Sequence, residues 1–148
     1  MNLFDTLDNK RKNINLSENK KIKIYVCGIT PYSESHIGHA MSAVIFDTLR
    51  KYLLANKQNV IYVQNFTDID DKLIQAAEEN NSDIRTISTK FINKHLSALS
   101  KLNVLKPDYS PKATEEIKEM INMIQTLISK GIAYEIDGDC FFRVGKFE

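Results

Sequence analysis

The chain carries three histidines, two cysteines and five glycines in 148 residues, and five of those ten side chains fall in one short segment. The segment is YVCGITPYSESHIGHA, Tyr25 to Ala40, and it holds Cys27, Gly28, His36, Gly38 and His39. Imidazoles can donate hydrogen bonds to phosphate oxygens. A glycine lets a flat or charged group approach the backbone closely. A thiolate suits a soft metal such as zinc. Taken from the residues alone, several readings stand side by side. His36 and His39 could contact phosphate, cap a helix, or ligate a metal together with Cys27. Cys27 by itself could equally be a small buried hydrophobe at a strand end.

The surrounding elements favour phosphate. KIKIYVCG alternates Ile22, Ile24 and Val26 with Lys21, Lys23 and Tyr25, which is strand periodicity with one buried face. Gly28 breaks that pattern, and a loop through Pro31 leads to His36. Ile37, Met41, Val44, Ile45, Thr48, Leu49, Tyr52 and Leu53 then recur at helical spacing, predicting a helix over 36–54. NKQN is a turn, and VIYVQNF is a second, more fully buried strand. A β-α-β unit of this kind has parallel strands. Ligands collect beyond the carboxyl ends of such strands, where free N–H groups at a helix start attract anions. Neither GxGxxG nor GxxxxGK[ST] is present, so the dinucleotide and P-loop fingerprints do not apply.

Beyond this unit, Thr67-Asp68 is expected to open a helix, with Asp70 completing a weak capping box. A third helix carries Phe91, Ile92, His95, Leu96 and Leu99 on one stripe, with His95 read as a helix-face residue. LKPDYSP reads as a loop whose Ser110-Pro111 caps the next helix, which presents Ile117, Met120, Ile121, Ile124, Leu127 and Ile128 and stops at Gly131. IAYEIDGDCFFRV is a hairpin about Asp137-Gly138, with Cys140 a half-buried strand residue.

A hydrophobic fraction of 43% and a charged fraction of 26% are those of a soluble globular protein. The net charge of +1 excludes an overall basic field for nucleic acid. The basic stretch NKRKNINLSENKKIK is read as a solvated lead-in segment. Cys27 and Cys140 form no disulfide framework, which points to a reducing cytoplasm. The amino terminus lacks the apolar core of a signal peptide, and no apolar run approaches the roughly 20 residues that span a membrane.

Three blocks in order narrow the reading. CGIT, HIGH and FTDIDDK stand at spacings that resemble the catalytic region of the cysteinyl-tRNA synthetase family, class I aminoacyl-tRNA synthetases. The resemblance continues through ALSKLNVLKPDYSPKATEEI and GIAYEIDGDCFFRV and covers nearly all of Lys21 to Val144. It implies the first half of a Rossmann-like, HIGH-type nucleotidyl transferase sheet, α/β in class. The expected divisions are a lead-in over 1–20, the half-domain over 21–101, and the start of a connective insertion with a hairpin over 102–148.

The chemistry that the resemblance implies is activation of cysteine by ATP to cysteinyl-adenylate, then transfer to tRNA(Cys). His36 and His39 would be the catalytic pair, stabilising charge on the α-phosphate. Ile29 and Gly38 would join them in binding ATP, which comes with Mg²⁺. Thr67 would line the cysteine pocket, and Cys27 would be a zinc ligand, the zinc taking the substrate sulfur. Asp68, Asp70 and Asp71 are assigned to helix-start electrostatics rather than to Mg²⁺. Met41 and Ser42 replace the Arg-Thr that many members show, Pro31 and Ser33 vary the preceding loop, and Cys140 does not match the family's second zinc cysteine. The remaining zinc ligands, the KMSKS loop, the second half-sheet and the anticodon-binding region have no counterparts. The expectation is therefore an amino-terminal portion, inactive alone, with an exposed half-sheet able to self-associate. Two alternatives are a portion of the related mycothiol-pathway cysteine ligase and a non-catalytic nucleotide-binding or association module.

Overall fold

A computed structural model describes residues 1–16 and 21–147. The lead-in is exposed, in keeping with a solvated segment, and it forms a hairpin. Strands β1 (Asn2–Asp5) and β2 (Lys10–Asn13) pair antiparallel, and Asn9 closes their turn at φ 49°. Asp5 Oδ1 accepts from the Leu7 N–H at 2.9 Å, an aspartate turn that composition alone does not announce. Residues 17–20 of the basic stretch lie outside the described residues.

β3 (Lys21–Ile29), α1 (Ile37–Ala55) and β4 (Asn59–Phe66) form the expected β-α-β unit, with β3 and β4 parallel. Gly28 does not end β3. The strand runs on to Ile29 through an irregularity in register between Val26 and Ile29. A Cβ at position 28 would overlap the Asn65 carbonyl oxygen and stand 2.6 Å from its carbon. Only glycine lets the two strands approach so closely there.

α1 buries a different face from the one its apolar pattern suggests. Ala43, Asp47, Arg50 and Leu53 are buried, while Ile37 is 85% exposed and Met41 62% exposed, with Ile45 and Tyr52 also outside. The charged residues on the buried face hold a strap that sequence reading leaves as a loop. Residues 103–114 run back along the free edge of β4, with parallel bridges at Val63–Tyr109 and Phe66–Lys112. The Gln64 and Phe66 N–H groups donate to the Tyr109 and Pro111 carbonyls at 3.1 and 2.9 Å. Arg50, 7% exposed, donates to the Lys106 carbonyl at 2.6 Å and to Asp108 at 3.1 Å. Asp108 in turn accepts from the Tyr62 N–H at 2.7 Å, and Asp47 from the Leu105 N–H at 3.0 Å.

α2 (Asp71–Glu79) starts later than expected. Asp70 is its N-cap, accepting from the Lys72 N–H at 2.9 Å, so Thr67 is not the cap. Asp71 lies in the first turn, as helix-start electrostatics requires. Asp68 does not share that role: it is buried and accepts from the Thr114 N–H at 3.0 Å and its hydroxyl at 2.6 Å, pinning the strap's far end. α3 (Ile84–Lys101) buries Ile87, Ile92, His95 and Leu99, and Leu73, Ala77 and Ile87 form the α2–α3 core.

Ser110-Pro111 caps no helix, because Pro111 belongs to the strap. A 3₁₀ turn, Ala113–Glu115, intervenes before α4 (Ile117–Ser129). α4 ends where expected, with Gly131 at φ 68°. β5 (Ala133–Ile136) and β6 (Asp139–Phe142) close the predicted hairpin, with Asp137 and Gly138 at φ 53° and 89°, the pair of left-handed residues such a turn demands. Cys140 lies on β6 but is exposed, not half-buried. Among the described residues no helix is long and apolar enough to cross a membrane.

Candidate functional site

The two signature histidines are joined before anything else binds them. His36 is the N-cap of α1, extended at φ −112° and ψ 177°. Its Nδ1 accepts from the Gly38 N–H at 3.1 Å, and the His39 Nδ1 accepts from the His36 N–H at 3.2 Å. This is a capping box built from imidazoles instead of a hydroxyl and a carboxylate. Their rings lie 4.0 Å apart between centroids.

That geometry fixes the tautomers. A ring nitrogen that accepts carries no proton, so Nε2 holds the N–H in each neutral ring and is left free as a donor. Burial, and then the neighbouring His36, hold the His39 pKa below its ordinary value and favour the neutral ring. Gly38 has a reason visible in this arrangement: a Cβ there would meet the His36 ring at 2.9 Å. The capping and phosphate-donor readings of the pair are therefore compatible, since they use opposite nitrogens.

The pair faces a polar cleft of about 210 Å³ lined by Gly28, Ile29, Thr30, Tyr32, Ser33, Ser35, His36 and His39. Of the residues expected in the site, the structure brings Ile29, His36 and His39 together on this wall. Gly38, Thr67 and Cys27 adjoin it without lining it. Thr67 is tied to the same strand end, its N–H donating to the Ile29 carbonyl at 3.0 Å.

Asn65 is a residue that sequence reasoning missed. Its Oδ1 accepts from the Gly28 N–H at 2.8 Å and from the Tyr25 hydroxyl at 3.0 Å. Its Nδ2 reaches toward Thr67 Oγ1 at 3.4 Å. One amide thus ties the two strand ends together below the cleft. Its place just before FTDIDDK was the only available signal. His95 was likewise read as a helix-face residue and is instead buried, 3% exposed, with Nδ1 2.8 Å from Ser35 Oγ.

Cys27 is a free, exposed thiol at the end of β3, not a buried hydrophobe. Among the described residues no three His, Cys, Asp or Glu side chains stand close enough to hold a metal ion. Asp68 and Asp70 are engaged with backbone and hydroxyl donors. These donors do not by themselves fit a four-ligand zinc centre.

Comparison with known proteins places these features in a group. The family model described as the catalytic domain of class I (C) tRNA synthetases matches residues 13–148. A protein named cysteine–tRNA ligase from Archaeoglobus fulgidus is 48% identical over 149 residues, covering 100% of this chain and 32% of the relative. Proteins of the same name from a Geobacillus species and from Dehalococcoides mccartyi are 46% and 45% identical, covering 99% and 100% of this chain. The chain spans about a third of the length of these relatives. Among solved structures, an Agrobacterium radiobacter K84 LeuRS–tRNA–LeuAMS complex superposes with a TM-score of 0.64 at 17% identity, over 80% of this chain and 16% of that one. At that identity the likeness concerns the fold alone, and it agrees with a Rossmann-like α/β sheet.

Proposed function

The chain belongs to the family of class I (C) tRNA synthetase catalytic domains, and from that membership we propose that it forms the amino-terminal ATP-handling portion of a cysteine–tRNA ligase. The observation that carries this reading is the imidazole capping box. His36 and His39, each with Nδ1 spent on the cap and Nε2 left over, line one cleft at the amino-terminal end of α1, a pattern suited to an anion.

In this reading the donors meet the ATP α-phosphate as the cysteine carboxylate attacks it, the α–β phosphoanhydride bond breaks and pyrophosphate leaves. The reaction needs no covalent bond to the protein. It needs positive edges aimed at oxygens that gain charge, preorganised so that nothing must turn during the step. The cap supplies that preorganisation, since each ring is fixed through its Nδ1. Ile29 supplies an apolar wall for the nucleoside, and Thr67 stands at the β4 end beside the place for cysteine. The product would pass its cysteinyl group to tRNA(Cys), in a reducing cytoplasm.

We assign Cys27 as one zinc donor, its exposed sulfur standing at the strand end beside the cleft. Because one donor holds no metal tightly, the chain alone should lose zinc on dialysis; stoichiometric zinc by elemental analysis would overturn that assignment. Residues 1–20 serve as lead-in, 21–101 as the half-domain and 102–148 as the beginning of the connective insertion. The outward apolar face of α1 and the open edge of β3 favour self-association.

The test is ATP binding to this chain by calorimetry, with His36→Ala and His39→Ala beside it. Weak binding that both substitutions abolish supports the reading, and binding that neither changes sinks it. Cysteine-dependent ATP–pyrophosphate exchange should be absent for this chain alone.

A further inference from the structure

The loop between β3 and α1 must deliver His36 to the cap position; its start is fixed by the buried Pro31 and by Lys72 over the Tyr32 ring at 5.3 Å, and its end next to the cap is fixed from elsewhere. Two successive residues of that loop are held from α3, an element some 60 residues away. Lys94 pairs with Glu34 at the surface. Next to it, His95 Nδ1 meets Ser35 Oγ at 2.8 Å, and Ser35 immediately precedes the N-cap. The His95 ring also stands edge-on to both His39 and Phe66, each at 6.4 Å between centroids. It therefore spans from the sheet to the back of the signature pair.

The two contacts differ in weight. The Lys94–Glu34 pair is solvent-exposed and contributes little. His95 is buried, so a lost partner would leave a polar atom out of water's reach. A purely apolar residue would fill the same place among Ile92 and Leu99 without that risk, and an imidazole is found instead.

We propose that His95 is a positioning residue of the signature site: through Ser35 it sets the loop that starts α1, and thereby the aim of His36 and His39. It touches no substrate. The proposal rests on the ATP reading above for its functional consequence but not for its geometry.

The test compares Ser35→Ala, His95→Leu, His95→Asn and the Ser35→Ala/His95→Leu double variant. An asparagine amide can stand where Nδ1 stood; a leucine fills space without a polar atom. Ser35→Ala removes only the hydroxyl and guards against a His95 variant that fails to fold. Amide hydrogen exchange at His36 and Gly38, the two N–H groups of the cap, should quicken in Ser35→Ala and His95→Leu relative to amides of α4. His95→Asn should keep most of the protection. The ATP dissociation constant should rise about fivefold in either deletion, the equivalent of one ordinary hydrogen bond, with no further rise in the double variant.

Additive effects in the double variant, or equal behaviour of His95→Asn and His95→Leu, would overturn the proposal. If the unaltered chain binds no ATP, the nucleotide reading falls, and exchange at His36 and Gly38 alone decides whether His95 positions the cap.

Discussion

The cleft and the strap are built from similar side chains and treat them in opposite ways. In the strap, Arg50, Asp47 and Asp68 are buried and spend their polar atoms on backbone groups 46 to 58 residues away in sequence. In the cleft, His36 and His39 use one ring nitrogen each on their own helix turn and leave the other free. The strap is largely closed chemistry, its donors and acceptors taken up by the fold apart from the buried Arg50 Nε. The cleft is open chemistry, half satisfied, with both histidines on one wall. A charged residue close to a site is thus not automatically part of it.

Substitutions can break or sharpen this contrast. The largest effect is expected where β3 and β4 approach most closely, at the foot of the cleft. Gly28→Ala drives a methyl into the Asn65 carbonyl and must part the strands. Its cost should reach or pass the upper end of the ~1–3 kcal/mol usual for overpacking, read as a fall in urea midpoint or outright loss of cooperative unfolding. Next, Asp108→Ala orphans the Tyr62 N–H and takes one of two partners from the Arg50 guanidinium, and should cost about 1–3 kcal/mol, with ATP affinity of the surviving folded chain unchanged. A large loss of affinity at unchanged stability would show that the strap reaches the cleft after all.

His36→Ala should behave in the opposite sense. Losing a cap costs about 1 kcal/mol, a modest shift in chemical denaturation, while nucleotide binding disappears.

Acidification should give the smallest effect. Burial is the first cause that lowers both His39 and His95, with a neighbouring histidine the second in each case. As pH falls, the unfolded imidazoles take up protons first, near their ordinary value of about 6.5. Stability is therefore full above that pH and declines below it, until the folded rings also protonate. Urea midpoints at pH 7.5 and 5.5 measure the slope. A midpoint higher at pH 5.5 would contradict the burial of these rings.

How much could be read beforehand follows the same division. β3, α1 and β4 announce themselves by periodicity, and the Asp137-Gly138 turn and Gly131 stop by local backbone demand. Ile29, His36 and His39 come together because the spacing of a strand end and helix start leaves them nowhere else to go. The strap was invisible because LKPDYSP has no period of its own; its order comes from side chains distant in sequence. Asp68 looked like a helix-start residue for the same reason, its true partner being Thr114. The buried face of α1 escaped because an apolar stripe marks a helix without saying which side meets its own fold. Asn65 and His95 make side-chain contacts, to Gly28 and Tyr25 and to Ser35, that no periodicity registers.

The strap has one further consequence. By lying along β4 it occupies the Gln64 and Phe66 N–H groups and, among the described residues, leaves β3 as the strand edge without a neighbour. Joining two copies β3 edge to β3 edge across a two-fold axis uses up both edges. Encounters made through the β3 edges alone thus terminate at a pair.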